Sequence, residues 1–153
     1  GDEGKERDRM ATRLEAAGPS VTRFFKVFFL VATLYNGLLG AVFFFFYRPI
    51  FDMLGVALPS NTSYIHLTAG FVFVQGIGYW FVYRNMLRNV DIVRLGVVYK
   101  AIYSGIAVYY LAIGQLLDAV FAWLAVFDVG FLLLFVVFLV LTRPQQRQHQ
   151  VRG

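Results

Sequence analysis

Two ionisable side chains stand inside long apolar stretches of this sequence. Lys100 lies within GVVYKAIYSGIAVYYLAIG, residues 96–114, and Asp128 lies within AVFDVGFLLLFVVFLVL, residues 125–141. A charge at the centre of a membrane costs about 2.5–3.5 kcal/mol on insertion scales. An ammonium group and a carboxylate that face each other offset part of that cost. The two residues therefore indicate either a structural contact or a polar site inside a membrane.

Three interpretations of Lys100 stay open from the sequence. In the first, its side chain extends to the membrane surface from a backbone position roughly 9 Å below the cytoplasmic end of its helix. In the other two it pairs with Asp128, either in a structural role or in a functional one. The predicted helix ends place Asp128 about one to two turns further from the cytoplasm, so the contact is allowed but not required.

Polar side chains of the other apolar stretches recur at helical spacing. Asn36 lies in the first stretch, Gln75 and Tyr79 lie in the second, and Tyr103 follows Lys100 by about one turn in the third. Steps of three and four residues place side chains on one face of a helix. Because lipid disfavours polar groups, we expect these faces to point inward. The sequence thus predicts one polar cluster: Asn36, Gln75, Tyr79, Lys100, Tyr103 and Asp128.

This polar cluster has two candidate roles. It supplies interhelical hydrogen bonds, worth about 0.6–2 kcal/mol each, that fix the rotation of the helices. Alternatively, it forms a small ligand pocket in which Lys100, Gln75 and Tyr79 hold a polar head group and Asp128 sets the charge of the lysine. Quinones and lipids are the ligands that such a pocket would suit.

Other chemistries find little support. Four helices are too few to enclose a retinal on a Schiff-base lysine, and His66 and His149 are not placed as an opposed pair of haem ligands. The sequence has no glycine-rich phosphate loop, no zinc-binding His-Glu-x-x-His spacing and no nucleophile elbow. It also lacks cysteine, which excludes thiol chemistry. We therefore predict no catalytic residue, no metal and no resident cofactor, which favours a non-enzymatic role.

Transmembrane helices are the elements that must position the cluster. Hydrophobic residues make up 59% of the chain and charged residues 15%, whereas soluble domains have about 45–50% and 25%. Four apolar stretches, each near the ~20 residues that cross the hydrocarbon, predict spans at residues 24–47, 64–84, 92–113 and 116–142. The short connections predict an all-α, up-down four-helix transmembrane bundle. Residues 50–54 are amphipathic and predict a short interfacial segment between helices 1 and 2.

The basic residues indicate orientation. They concentrate in the polar N-terminal tail (residues 1–20), in the second connection and in the C-terminal tail (residues 143–153), around a transmembrane domain at residues 21–142. This placement is typical of topology signals and not of a nucleic-acid-binding face, despite a net charge of +5. After four crossings all three basic regions lie on one side. We therefore expect an integral protein of the bacterial inner membrane with cytoplasmic termini.

A family resemblance depends on two short regions. The first connection contains Arg48-Pro49, Phe51, Leu54-Gly55 and Pro59, and the second span contains Gly76-Ile77-Gly78-Tyr79. With the size and the four spans, these features resemble small bacterial four-helix membrane proteins of the DoxX-like type over residues 35–130. Some members of that family are linked to quinone-coupled oxidoreductase complexes, but no motif that carries chemistry is matched.

Two functional hypotheses follow. The first is a non-enzymatic accessory subunit or interaction protein of a membrane complex. Its partners would be the lipid bilayer and either another membrane protein or a second copy of the chain. The alternative is a binder, carrier or redox partner for a hydrophobic small molecule, a quinone or a lipid, that uses the polar cluster around Lys100 and Asp128.

Overall fold

The chain folds as a bundle of long helices. The computed structural model describes residues 13–115 and 119–143 of the 153-residue chain. A short helix, α1 (Arg13–Ala16), precedes four long ones: α2 (Pro19–Leu54), α3 (Ser63–Arg84), α4 (Val90–Ala112) and α5 (Ala119–Leu141). The described residues form no strand. Each long helix is long and apolar enough to cross a membrane. The all-α four-helix bundle is confirmed, and the chain is a small membrane protein.

Helix α2 is longer than a single span and bends near its end. Its 36 residues extend about 54 Å, against a hydrocarbon thickness of about 30 Å. Pro49 has no amide hydrogen, and its ring conflicts with the carbonyl of the preceding turn. The backbone accordingly leaves helical geometry at Phe46, with φ −125° and ψ 22°. Residues 50–54, the predicted interfacial segment, form the last part of α2, and Gly55 ends it with φ +66°.

Helices α2 and α3 pack closely because glycines remove side chains from their contact. A Cβ atom on Gly76 would lie 2.6 Å from the backbone nitrogen of Gly37. One on Gly40 would lie 2.5 Å from the backbone nitrogen of Phe73. Both distances are shorter than atoms allow, so the two backbones touch directly, as small residues permit between membrane helices. This contact fixes the register of α2 against α3.

Residues 85–89 form a tight polar turn from α3 to α4. The Asn85 side-chain oxygen accepts a hydrogen bond from the Arg88 backbone nitrogen at 3.1 Å. The Asn89 side-chain nitrogen donates to the carbonyl oxygens of Phe81 and Asn85, at 2.8 Å and 2.9 Å. These bonds attach the Asn89 side chain to the last turn of α3 and to the residue that follows it. The turn thus holds α3 and α4 at the same end of the bundle.

An aromatic core joins the helix pair α2–α3 to the pair α4–α5, at the end of the bundle where α2 begins. Helix α4 packs along α5, and rings of α2 meet rings of α5 with centroids 4.9–5.8 Å apart. Such ring pairs contribute about 0.5–1.5 kcal/mol beyond their burial. Ten buried residues form this core: Leu14, Phe25, Phe28, Phe29, Ala32, Tyr79, Val82, Val93, Phe135 and Phe138.

The predicted division into two tails and a transmembrane domain stays a prediction. Residues 1–12, 116–118 and 144–153 lie outside the described residues. They include most of both predicted tails and the predicted start of the fourth span. Within the first tail, α1 returns to the bundle, since the Leu14 side chain is buried in the aromatic core.

The close contact of α2 and α3 predicts opposite effects for two alanine substitutions in α3. Gly76→Ala should lower the free energy of unfolding by about 1–3 kcal/mol, because the methyl group meets the backbone of α2. Gly70→Ala is the matched control. Its Cβ atom would meet nothing within 4 Å, and alanine is the better helix former by about 0.5–1 kcal/mol. Denaturant titration in mixed micelles measures both, and equal stability of the two variants would contradict the packing.

Candidate functional site

The centre of the candidate site is a buried ion pair. The Lys100 Nζ atom on α4 lies 2.5 Å from the Asp128 Oδ1 atom on α5. The two residues are only 1% and 6% exposed. Counted from Val90 and Leu141, the ends of α4 and α5 beside the aromatic core, Asp128 is three residues deeper than Lys100, about 4.5 Å. The length of the lysine side chain covers this offset, so the contact that the sequence left open is made.

Asn36 brings a third helix to the ion pair. The Lys100 ammonium group also donates a hydrogen bond to the Asn36 Oδ1 atom on α2, at 3.2 Å. The Asn36 side-chain nitrogen donates to the backbone carbonyl of Ala32, one turn earlier in α2, at 3.0 Å. That bond turns the amide oxygen of Asn36 toward Lys100. One ammonium group therefore connects α2, α4 and α5.

Aromatic rings surround the rest of the ammonium group. The Nζ atom lies 5.5, 5.6 and 5.3 Å from the ring centroids of Tyr35, Tyr99 and Phe131. Rings at this distance attract a cation through their negative faces. The Lys100 side chain therefore points into the bundle and does not extend to the membrane surface.

Sequence reasoning did not single out these three rings. Helical spacing offered a signal for one of them. Tyr35 and Tyr99 directly precede Asn36 and Lys100, and Phe131 follows Asp128 by three residues. Residues three apart lie on the same helix face, so Phe131 could have been expected beside Asp128, whereas consecutive residues point about 100° apart.

A cavity of about 260 Å³ opens beside the ion pair. Asn36 and Asp128 belong to its wall at one end, and Phe51 and Tyr64, near the ends of α2 and α3, belong to it at the other. The rest of the wall comes from all four long helices and is mostly apolar or aromatic: Tyr35, Leu39, Gly40, Phe43, Ile65, Thr68, Ala69, Val72, Tyr99, Tyr103, Phe121 and Leu124. Lys100 does not line the cavity and lies behind Asn36 and Asp128.

The structure brings together four of the six residues predicted as a polar cluster. Lys100 bonds to both Asn36 and Asp128, and Tyr103 lines the cavity beside them. Gln75 neither contacts the ion pair nor lines the cavity. Its side chain forms no hydrogen bond within residues 13–115 and 119–143. The neighbouring Gly76 faces α2, and consecutive helix positions differ by about 100° in direction, so Gln75 is turned away from this contact.

Tyr79 belongs to the aromatic core and not to the cavity. It is fully buried, and its ring centroid lies 5.1 Å from that of Phe135. A Cβ atom on Gly96 of α4 would lie 3.0 Å from its hydroxyl oxygen. That hydroxyl group has no hydrogen-bond partner among the described residues. Tyr79 shares a helix face with Gly76 but lies about one turn closer to the packed end of the bundle.

Other parts of the described chain are weaker candidates for a functional site. A second cavity, of about 270 Å³, lies between α4 and α5 and is lined by none of the six predicted residues. Within residues 13–115 and 119–143, no three histidine or acidic side chains meet in a group that could hold a metal ion. The ion pair and the adjoining first cavity are therefore the strongest candidate for a site.

The buried ion pair predicts a strong interaction between two substitutions. Lys100→Met and Asp128→Leu should each lower the free energy of unfolding by about 3–5 kcal/mol, because each leaves one charge buried without its partner. The double variant should recover most of that loss, since it buries no unpaired charge. A double-mutant cycle from denaturant titrations in micelles measures the interaction. Strictly additive losses would show that the two side chains do not pair.

Comparison with known proteins gives this chain no relative, since no family model, curated protein or solved structure matches it. What the site does must therefore follow from its own chemistry. The chemistry of the site depends on three groups and on the cavity beside them: the carboxylate of Asp128, the amide of Asn36 and the ammonium group of Lys100.

Proposed function

We propose that the chain binds or carries a hydrophobic small molecule in the cavity beside the ion pair. One observation carries this proposal: Asn36 and Asp128 bond to Lys100 and also line the cavity. An ion pair that only held helices together would gain nothing from an adjoining cavity, because empty space forfeits dispersion contacts. A ligand that fills the cavity restores those contacts and meets polar groups at one end.

The dimensions of the cavity favour a slender amphipathic molecule. Its volume of about 260 Å³ is below the range of about 300–1,000 Å³ that is typical of sites for drug-sized ligands. Its wall is mostly apolar, and one end carries the polar groups of Asn36 and Asp128. A lipid chain, or the tail and small ring of a quinone, has this distribution of polarity.

The other function expected from the sequence is a non-enzymatic accessory subunit of a membrane complex. In that role the ion pair would act only as an interhelical contact. This hypothesis and the resemblance to DoxX-like proteins both stay predictions. The links of some DoxX-like proteins to quinone-coupled complexes would agree with a quinone in the cavity. Native mass spectrometry distinguishes a bound ligand from a partner protein.

We also propose that the chain lies in the bacterial inner membrane with its termini in the cytoplasm. Lysine and arginine favour the cytoplasmic side of membrane proteins. At the aromatic-core end of the described chain lie Arg13, Arg23, Lys26, Arg84, Arg88, Arg94 and Arg143, whereas Arg48 lies near the opposite end. In this orientation the Tyr64 end of the cavity lies toward the outer side.

A bulky side chain in the cavity should exclude the ligand. Native mass spectrometry of protein extracted gently from its own membranes should show an added small molecule. Val72→Trp, on the cavity wall, should lose that mass. Val74→Trp is the matched control, because Val74 is 59% exposed on the same helix and lies outside the wall.

Two results of that measurement would contradict the proposal. One is a ligand that persists in Val72→Trp. The other is wild-type protein that carries no small molecule but has a partner protein at fixed stoichiometry, which would favour the accessory-subunit hypothesis.

The proposed orientation predicts which connections are reached from outside the cell. The chain has no cysteine, so single cysteines introduced at Ser60 and Leu87 are the only thiols in each variant. Both positions are exposed and lie in connections at opposite ends of the bundle. A membrane-impermeant maleimide should label Ser60→Cys in intact cells, and Leu87→Cys only after permeabilisation. The reverse pattern would place the termini outside.

A further inference from the structure

The inner end of the cavity carries no net charge. Among the residues that the structure describes, Asp128 is the only charged one on the cavity wall, and the Lys100 ammonium group lies 2.5 Å from its carboxylate. The two charges therefore cancel within one contact. An ionic head group would add an uncompensated charge to a low-dielectric site, which is strongly unfavourable. The site thus selects against anions and cations alike.

The carboxylate of this ion pair faces the cavity, and the ammonium group faces away from it. Lys100 uses two of its three N–H donors on Asp128 and Asn36. Its remaining surroundings include the rings of Tyr35 and Phe131. Lys100 is therefore not placed to bind a head group, contrary to the role expected for it from the sequence. A carboxylate or phosphate entering the cavity would meet Asp128 first.

Several polar groups on the wall retain bonding capacity. The second oxygen of Asp128, Oδ2, receives no hydrogen bond from the described residues, and an ionised carboxylate only accepts. The hydroxyl groups of Tyr99 and Tyr103, one turn apart on α4, also form no hydrogen bond within the described part of the chain. A hydroxyl group both donates and accepts. The Tyr35 hydroxyl group, on the same wall, likewise has no hydrogen-bond partner among the described residues. The wall therefore offers one strong acceptor beside several hydroxyl donors.

We infer that the ligand is a neutral long-chain amphiphile with a hydroxyl head group, such as a membrane alcohol or a quinol. This inference rests on the proposed function, because it assumes that a ligand occupies the cavity. The hydroxyl group donates to the free oxygen of Asp128 and accepts from Tyr103 or Tyr99. Its chain extends along the apolar wall toward Phe51 and Tyr64.

Head groups that only accept hydrogen bonds satisfy this site incompletely. An ester or a quinone carbonyl can accept from Tyr99 or Tyr103 but gives nothing to Asp128. The carboxylate would then be covered by the ligand without a hydrogen bond, which costs free energy relative to its hydrated state. Among uncharged ligands the site therefore prefers the hydroxyl form to the carbonyl form.

Three photoreactive probes test this preference. They share one long alkyl chain with a diazirine and end in a hydroxyl group, a carboxylate or a methyl ester. Each is irradiated with the full-length protein in lipid nanodiscs, and crosslinked peptides are mapped by mass spectrometry. The alcohol should label the cavity wall, for example at Leu124, and excess unlabelled alcohol should compete. The acid and the ester should label about tenfold less.

Two variants assign the preference to named groups. Tyr103→Phe should reduce labelling by the alcohol several-fold, and Tyr109→Phe, at an exposed position of the same helix, should leave it unchanged. Asp128→Asn removes the carboxylate and leaves the Lys100 charge uncompensated. Labelling should then shift from the alcohol toward the acid, an inversion that a loss of folding would not produce. If Asp128→Asn does not fold, the Tyr103→Phe comparison still decides.

The outcomes separate this inference from the proposed function. Acid or ester labelling that equals or exceeds alcohol labelling in the wild-type cavity would overturn the hydroxyl assignment and leave a ligand site in place. A Tyr103→Phe variant that labels like wild type would overturn it as well. If no probe gives competed labelling of the cavity, or if Val72→Trp labels like wild type, the proposed binding function fails together with the assignment.

Discussion

A positive charge that must stay inside a low-dielectric bundle is the constraint on which the rest of this structure depends. The Lys100 ammonium group is stabilised there by a carboxylate from α5, an amide oxygen from α2 and three aromatic rings. Each partner is effective only at one rotation of its own helix. The orientations of α2, α4 and α5 are therefore specified by polar geometry, which apolar contacts between lipid-embedded helices do not provide by themselves.

This polar contact divides the interior into two halves with different properties. On the side where α2 begins, rings from α2 and α5 pack into a buried aromatic core. On the other side the same helices leave a cavity, although α2 and α3 touch backbone to backbone at Gly40 and Gly76. The cavity is thus not a sign of loose packing throughout. It lies between two firmly packed helix pairs, with the ion pair at its inner end.

Hydropathy and connection lengths were enough to predict the four helices, because each span must satisfy its own backbone in lipid. The same reasoning chose Lys100 and Asp128 but left their contact open, since a small error in a helix end shifts the apparent depth of a residue. Gln75 and Tyr79 show a second limit. Helical spacing indicates that residues share a face but not which neighbour that face meets. The α2–α3 contact at Gly76 and the aromatic core around Tyr79 follow only from tertiary packing.

Both members of the ion pair belong to one helical hairpin, α4–α5, and this bears on how the protein enters its membrane. A helix carrying a lone lysine inserts at a cost of about 2.5–3.5 kcal/mol. When α4 and α5 insert as a hairpin, the carboxylate accompanies the ammonium group and the two charges neutralise each other without the help of another helix. The α2–α3 hairpin carries no charge in its span interiors between Lys26 and Arg48 or between Ser63 and Arg84, so it needs no such neutralisation. Formation of the bundle thus involves two separate events: charge neutralisation within the α4–α5 hairpin, and lateral packing of the two hairpins against each other.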